Sequence, residues 1–85
     1  MTKQDIFASF AETIEDFAGV PADDVTLTAD LVDDLGIDSL TMVEIIVSAQ
    51  EKFSIEIPDA DLMYLKTVQD IVSYVDRVQR DGVSA

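Results

Sequence analysis

Seven of the ten residues from Leu40 to Ala49 are apolar: Leu40, Met42, Val43, Ile45, Ile46, Val47 and Ala49. Ile45, Ile46 and Val47 are β-branched and would suit a strand, but the length of the run and the capping residue Asp38 before it predict a helix reaching Lys52 or Phe53. Wound as a helix, the run has two apolar stripes. Met42, Ile45, Ile46, Ala49 and Phe53 make one, and Leu40, Val43 and Val47 make the other. An 85-residue chain builds only one small core, so it cannot bury a helix all the way round. The second stripe must therefore stay at least partly open. Apolar residues left open and rimmed by acids read as a partner-binding face.

The other elements are helical as well. Ile6, Phe7, Phe10, Ile14 and Phe17 recur at helical spacing from about Lys3 to Phe17, all of them expected in the core. Thr2 caps that helix, and Gly19 followed by Pro21 stops it. Residues 19–37 have no sustained period, yet Val25, Leu27, Leu31, Leu35 and Ile37 punctuate them, which predicts a loop pinned to the core. The stretch "FSIEIPD" alternates like a strand but has no second strand to pair with, and reads as extended loop. Asp59 opens a short helix over about Ala60 to Leu65. Thr67 caps a last helix, with Asp70 three residues on as an imperfect capping box, and Val68, Ile71, Val72, Val75 and Val78 as its inner stripe. Arg77 and Arg80 suit that helix's carboxyl end, Gly82 ends it, and residues 83–85 form a tail. The expected fold is all-α: a single-domain four-helix bundle, three helices longer and the third short, with a long loop between the first and second.

Charge and missing residue types narrow the function. Eighteen acids against five bases give a net charge of −13. Asp23, Asp24, Asp30, Asp33, Asp34, Asp38, Glu44, Glu51, Glu56, Asp59 and Asp61 oppose one base, Lys52, so the segment from 23 to 61 carries −10 of that charge. Nucleic acid and anionic membrane surfaces would be repelled, whereas a partner with a basic patch would be drawn in. The acids of the loop do not form a calcium-binding helix–loop–helix: with Gly36 at the glycine position, Leu31 and Leu35 fall where acids are required. No dedicated metal site is expected, only weak and non-specific divalent binding. No apolar run is long enough to span a membrane, and "MTKQDIF" lacks the basic and apolar blocks of a signal peptide, so a cytoplasmic protein is expected; it is also expected to be a monomer. Without histidine or cysteine, Ser–His–Asp and Cys–His catalysis are closed to this chain, as are thiolate and imidazole metal sites.

Against that background Ser39 is informative. It follows an acidic, glycine-containing loop and opens the apolar helix, in the sequence "DDLGIDSLTMVE". No side chain near it in sequence can activate it, since the lysines are Lys3, Lys52 and Lys66. It is inert by itself, and its place beside a docking face suits a residue modified by another enzyme.

Here the chain resembles the acyl carrier proteins, over about residues 3–79. The resemblance is strongest in "LGIDSLTMVEI" and "EIPDADLMYLKTVQDIVSYV". It implies a carrier, not an enzyme, bearing 4′-phosphopantetheine from coenzyme A on Ser39, beside Asp38, attached by a phosphopantetheinyl transferase. The thiol of that arm holds acyl chains as thioesters, which explains how a chain without cysteine can work through sulfur. The implied partners are the ketosynthase, acyltransferase, reductase and dehydratase of fatty acid synthesis, docking through basic patches. Asp38, Leu40, Val43, Glu44, Val47, Glu51 and Asp59 match the family's docking positions. Met42, Ile46, Ala49, Ile57, Leu62, Leu65 and Ile71 match the positions where members shelter the acyl chain.

Thr41, Gln50 and Lys52 depart from the pattern, standing where many members have acids, and Met63 and Tyr64 make the short helix unusually apolar. The alternatives are a specialised polyketide-type carrier and, from another class, an unmodified acidic helical adaptor for a basic partner. A peptidyl carrier fits less well, because "GID" stands where those have glycine and histidine. A carboxylate-pair hydrolase comes last.

Overall fold

The period of the apolar residues decides the architecture. A computed structural model describes residues 2–81, and among these it contains helices and no strand. The helices are α1 (Lys3–Ala18), α2 (Ser39–Phe53), α3 (Asp59–Leu62) and α4 (Val68–Asp81), with a single 3-10 turn at Ala22–Asp24. Gly82 and the expected tail at 83–85 lie outside the described residues. The all-α four-helix reading therefore holds.

Capping chemistry sets the helix starts. The Thr2 hydroxyl accepts from the Asp5 N–H at 3.1 Å, and the Asp5 carboxylate accepts in return from the Thr2 N–H. Gly19, in the left-handed region, closes α1 and returns its N–H to the Glu15 carbonyl. The same reciprocal box starts α4: the Asp70 N–H donates to the Thr67 hydroxyl, and the Asp70 carboxylate takes the N–H groups of Lys66 and Thr67. Burial lowers the carboxyl's acidity, but these hydrogen bonds outweigh it, so the Asp70 pKa lies below the usual carboxylate value.

Ile6, Phe10 and Ile14 of α1 meet Ile45, Ile46, Ala49 and Phe53 of α2 and Val68, Ile71, Val72 and Val75 of α4 in one core. α1 packs against both partners and against the 3-10 turn. Phe17 departs from expectation: the last turn of α1 gives its inward place to Ala18, and Phe17 is left 43 % exposed where the helix ends. Truncating the fully buried Phe10 would cost about 3–5 kcal/mol.

The loop from 19 to 37 is ordered by backbone bonds to the far end of the chain. The Leu31 N–H reaches the Lys66 carbonyl at 2.9 Å, the Val68 N–H reaches Ala29 at 3.1 Å, and the Gln69 N–H reaches Leu27 at 2.9 Å. Asp30 and Thr67 form an isolated antiparallel bridge there. Val25, Leu31 and Ile37 are buried as expected, and Leu35 packs against the core. Leu27 differs, since it anchors through its carbonyl and leaves its side chain half-open.

The third helix also differs. It ends at Leu62 rather than Leu65, and Asp59 lies inside it, with Pro58 in the capping position and no side-chain cap. Its hydrogen bonds explain the short span. Past its end the Tyr64 N–H bonds to Asp61 and the Leu65 N–H to Leu62, both i to i−3, the tight 3-10 pattern, which does not propagate an α-helix.

Candidate functional site

The turn before Ser39 is built by aspartates used as backbone acceptors. Asp30 Oδ1 takes the N–H groups of Val32 and Asp33, each at 2.9 Å, and Asp34 Oδ2 takes the Asp30 N–H at 2.7 Å. Residues 31–35 make one helical turn, which Gly36 ends at a φ of 68° with its N–H on the Val32 carbonyl. A side chain at that φ would be strained, which gives the glycine its purpose. Ile37 follows, buried, with its N–H on Leu31. Asp38 then caps α2: its Oδ1 accepts from the Thr41 N–H at 2.8 Å. That backbone bond, helped by the Thr41 hydroxyl, holds the Asp38 carboxyl below the usual carboxylate pKa.

Ser39 is the first residue of α2 and is exposed. The cap bond goes to Thr41, leaving the Ser39 hydroxyl free of that duty. A buried isoleucine on one side and a capped helix on the other hold its backbone in place. A phosphodiester-linked group fits here. Its anionic phosphate would meet the first-turn N–H groups of a 15-residue helix whose dipole favours negative charge. The neighbouring Asp38 carboxylate opposes this, but its charge is already engaged by the cap. When bound, 4′-phosphopantetheine supplies a terminal thiol, a group this chain lacks.

α2 presents the expected second stripe. Leu40 is 72 % exposed, Val43 56 % and Val47 47 %, with Glu44 and Glu51 exposed on the same face. Asp38 and Asp59 are exposed as well. Residues 40, 43, 44, 47 and 51 follow helical spacing, so one face gathers them. Val32, Met63 and Tyr64 are further exposed apolar residues. Val32 was not among the sequence candidates. A lone valine in an aperiodic loop looks like one more core anchor, and only the Asp30 turn, which occupies its N–H, points it outward.

The residues expected to shelter an acyl chain fall into two groups. Met42 and Leu65 line a groove of about 280 Å³ together with Asp30, Leu31, Val32 and Lys66. Ile46, Ala49, Ile57 and Ile71 are buried in the core, with Leu62 packed half-buried against it.

Two polar residues of α2, Gln50 and Lys52, have structural work. The Gln50 Oε1 accepts the Ile57 N–H at 2.8 Å, while its carbonyl takes the N–H groups of Ser54 and Ile55, which fixes the loop after α2. The Lys52 Nζ donates to the Ser9 carbonyl at 3.2 Å and lies 3.8 Å from Glu12, tying α2 to α1. Neither role has a sequence signal, because both join side chains to backbone across a fold. Among the described residues no cluster of acids is arranged to hold a metal, and no helix is long and apolar enough to cross a membrane.

Residues 8–75 match the family described as "Phosphopantetheine attachment site". The chain is 53% identical to the acyl carrier protein of Thermobifida fusca (strain YX) over 76 residues, which is 89% of this chain and 96% of that protein. It is 40% identical over 84 residues to the acyl carrier protein of Rhodococcus erythropolis (strain PR4 / NBRC 100887), covering 99% of this chain and 92% of that one. It is 43% identical over 84 residues to the meromycolate extension acyl carrier protein of Mycolicibacterium smegmatis (strain ATCC 700084 / mc(2)155), covering 99% and 85%. With the attachment-site match running through the loop, the capped serine helix and most of α4, the chain belongs to the acyl carrier proteins, which hold their cargo on 4′-phosphopantetheine.

Proposed function

We propose that Ser39 is the residue that carries 4′-phosphopantetheine, and that the chain acts as a carrier rather than a catalyst, serving the enzymes of fatty acid synthesis. The observation that carries this reading is the exposed serine at the first position of a capped helix, inside the matched attachment-site family. Asp38 holds the first turn, and the turn closed by Gly36 sets the serine's approach. Coenzyme A is the donor, through a phosphopantetheinyl transferase. Ketosynthase, acyltransferase, reductase and dehydratase partners dock on Leu40, Val43 and Val47 through an apolar contact, with Asp38, Glu44, Glu51 and Asp59 meeting their basic patches. Exposed ion pairs are worth about 0–1 kcal/mol each, so docking is weak and reversible, as a shuttle requires. The acyl chain is sheltered from the Met42–Leu65 groove inward, toward Ile46, Ala49, Ile57, Leu62 and Ile71. The carrier works as a cytoplasmic monomer within one domain, and its charge of −13 supports the monomer by mutual repulsion.

The test is intact mass after incubation with coenzyme A, magnesium and a broad-specificity phosphopantetheinyl transferase. One phosphopantetheine adduct is expected on the parent and none on Ser39→Ala. An adduct that survives in Ser39→Ala would move the site elsewhere, and a folded parent that takes no adduct would overturn the assignment.

A further inference from the structure

Residues 58–65 are held differently from the rest of the molecule. Each end is fastened to backbone. The Ile57 N–H donates to Gln50 Oε1 at 2.8 Å, while Lys66 receives the Leu31 N–H at 2.9 Å and donates its own to Asp70 at 3.0 Å. Between these clamps α3 has no side-chain cap and no buried residue. Leu62 and Leu65 lie half-buried against the core. Among the described residues, one side-chain hydrogen bond crosses from this segment to another helix: the Tyr74 hydroxyl of α4 donates to Asp61 Oδ2 at 2.8 Å.

The surroundings of that bond show how it could be broken. It lies in an open groove of about 310 Å³ whose walls include Asp61, Tyr64, Leu65, Asp70, Tyr74 and Arg77. Tyr74 is buried, and burial, then the Asp61 carboxylate, pushes its phenol pKa up, so it remains a donor at neutral pH. The protein's own cation does not neutralise the pair. The Arg77 guanidinium lies over the Tyr74 ring, 5.7 Å from its centroid, and the ion pairs among the described residues are Lys52–Glu12 and Arg80–Asp76. Asp61 thus has a hydrogen bond but no counter-charge, and it is half-exposed.

We propose that the Asp61–Tyr74 bond latches the 58–65 segment, and that an arginine side chain of a docked partner opens it by taking the Asp61 carboxylate from the tyrosine. The proposal rests on the docking and acyl-shelter assignments made above. Charge selects the occupant, because Asp59 and Asp61 belong to the stretch that carries −10 of the net charge. A guanidinium offers the carboxylate two charge-assisted bonds where a phenol offers one neutral donor. With the latch open, the segment is tethered only at its ends. Leu62 and Leu65 can then leave the core, and the wall of the acyl shelter loosens when a basic partner arrives. Tyr74 is on this account a positioning residue, acting through α3.

The test is amide hydrogen exchange at residues 60–65 of the unmodified Ser39→Ala chain, with and without an oligoarginine peptide, using the α4 amides as reference. In the parent pair the peptide should speed exchange at 60–65 several-fold and leave α4 unchanged. Tyr74→Phe should speed exchange at 60–65 about tenfold without peptide, the loss expected for a hydrogen bond to a charged group. Asp61→Asn keeps a neutral, weaker acceptor for the tyrosine and loses the charge, so without peptide its exchange should fall between the parent and Tyr74→Phe, and it should ignore the peptide. The latch is overturned if Tyr74→Phe leaves these amides within about twofold of the parent, or speeds the α4 amides equally. It is overturned too if Asp61→Asn responds to the peptide as the parent does. No arm is present in this experiment, so a different attachment residue would leave its outcome intact.

Discussion

Replacing Gln50 with alanine should destabilise the protein through a single lost acceptor. The Gln50 Oε1 accepts the Ile57 N–H at 2.8 Å in a partly buried setting. Removing it leaves a donor without a partner, at a cost of about 1–3 kcal/mol. Alanine is the better helix former, which returns a few tenths of a kcal/mol. The net loss is then about 1–2 kcal/mol, and in a domain of this size each kcal/mol moves Tm by about 4–8 °C. A fall of about 5–15 °C is expected, with a lower urea midpoint and an unchanged m-value. Gln50→Glu keeps an acceptor oxygen at the same reach and should recover most of the loss, whereas Gln50→Leu should not. An alanine variant melting within about 2 °C of the parent, or a glutamate variant no better than alanine, would show that the amide is not what fixes the loop.

Three other predictions concern caps and charge. Asp38→Ala removes the bond to the Thr41 N–H and should lower Tm by about 3–8 °C at neutral pH. Because the folded pKa of Asp38 lies below its unfolded value, the stabilisation is complete above about pH 5 and is lost as pH falls below about 4. The gap between parent and variant should therefore close in acid, and a gap that persists at pH 2 would argue against the cap. Ser54 ends α2 at φ 55° and ψ 46°, a left-handed conformation that suits glycine. Ser54→Gly should accordingly raise stability by about 0.5–1 kcal/mol, read as a higher urea midpoint. Sodium chloride or millimolar magnesium should raise the parent's Tm by screening a net charge of −13, and a flat titration would refute self-repulsion as a destabilising force.

Much of this fold is legible in the sequence because its helices announce both ends. Thr2, Asp38 and Thr67 occupy the capping positions that their residue types imply, and Gly19 closes α1 in the left-handed region. The two-stripe reading of α2 is legible for a different reason. A small core can bury one stripe only, so Leu40, Val43 and Val47 had to stay outside. The third helix is shorter than its composition suggests, since composition does not show where i to i−4 bonding gives way to i to i−3 over six residues. Tyr74 and Asp76 are buried on α4 although neither belongs to its valine and isoleucine stripe. Tyrosine gains a partner in Asp61 and aspartate one in Arg80, and such pairings appear only once helices are placed. Ser39 stood out by its setting. The clamps made by Gln50 and Lys52 left no trace, because a single polar side chain reaching a distant carbonyl or amide has no periodicity.

The backbone stitching between residues 27–31 and 66–69 has a temporal meaning. Leu31 finds its acceptor only at Lys66, and Ala29 and Leu27 find their donors at Val68 and Gln69. During translation these residues emerge from the ribosome long after the serine does. A nascent chain released only as far as Tyr64 has the whole of α2 and the local bonds of the turn that leads into it, but not the bonds that fasten that turn to the rest of the fold. A truncation at that point should show fast exchange at the 30–37 amides, and protected amides there would contradict the dependence. Ser39 therefore reaches its final frame only after residues 66–69 have been made, and an enzyme that recognises that frame would in effect be checking that this stitching is in place.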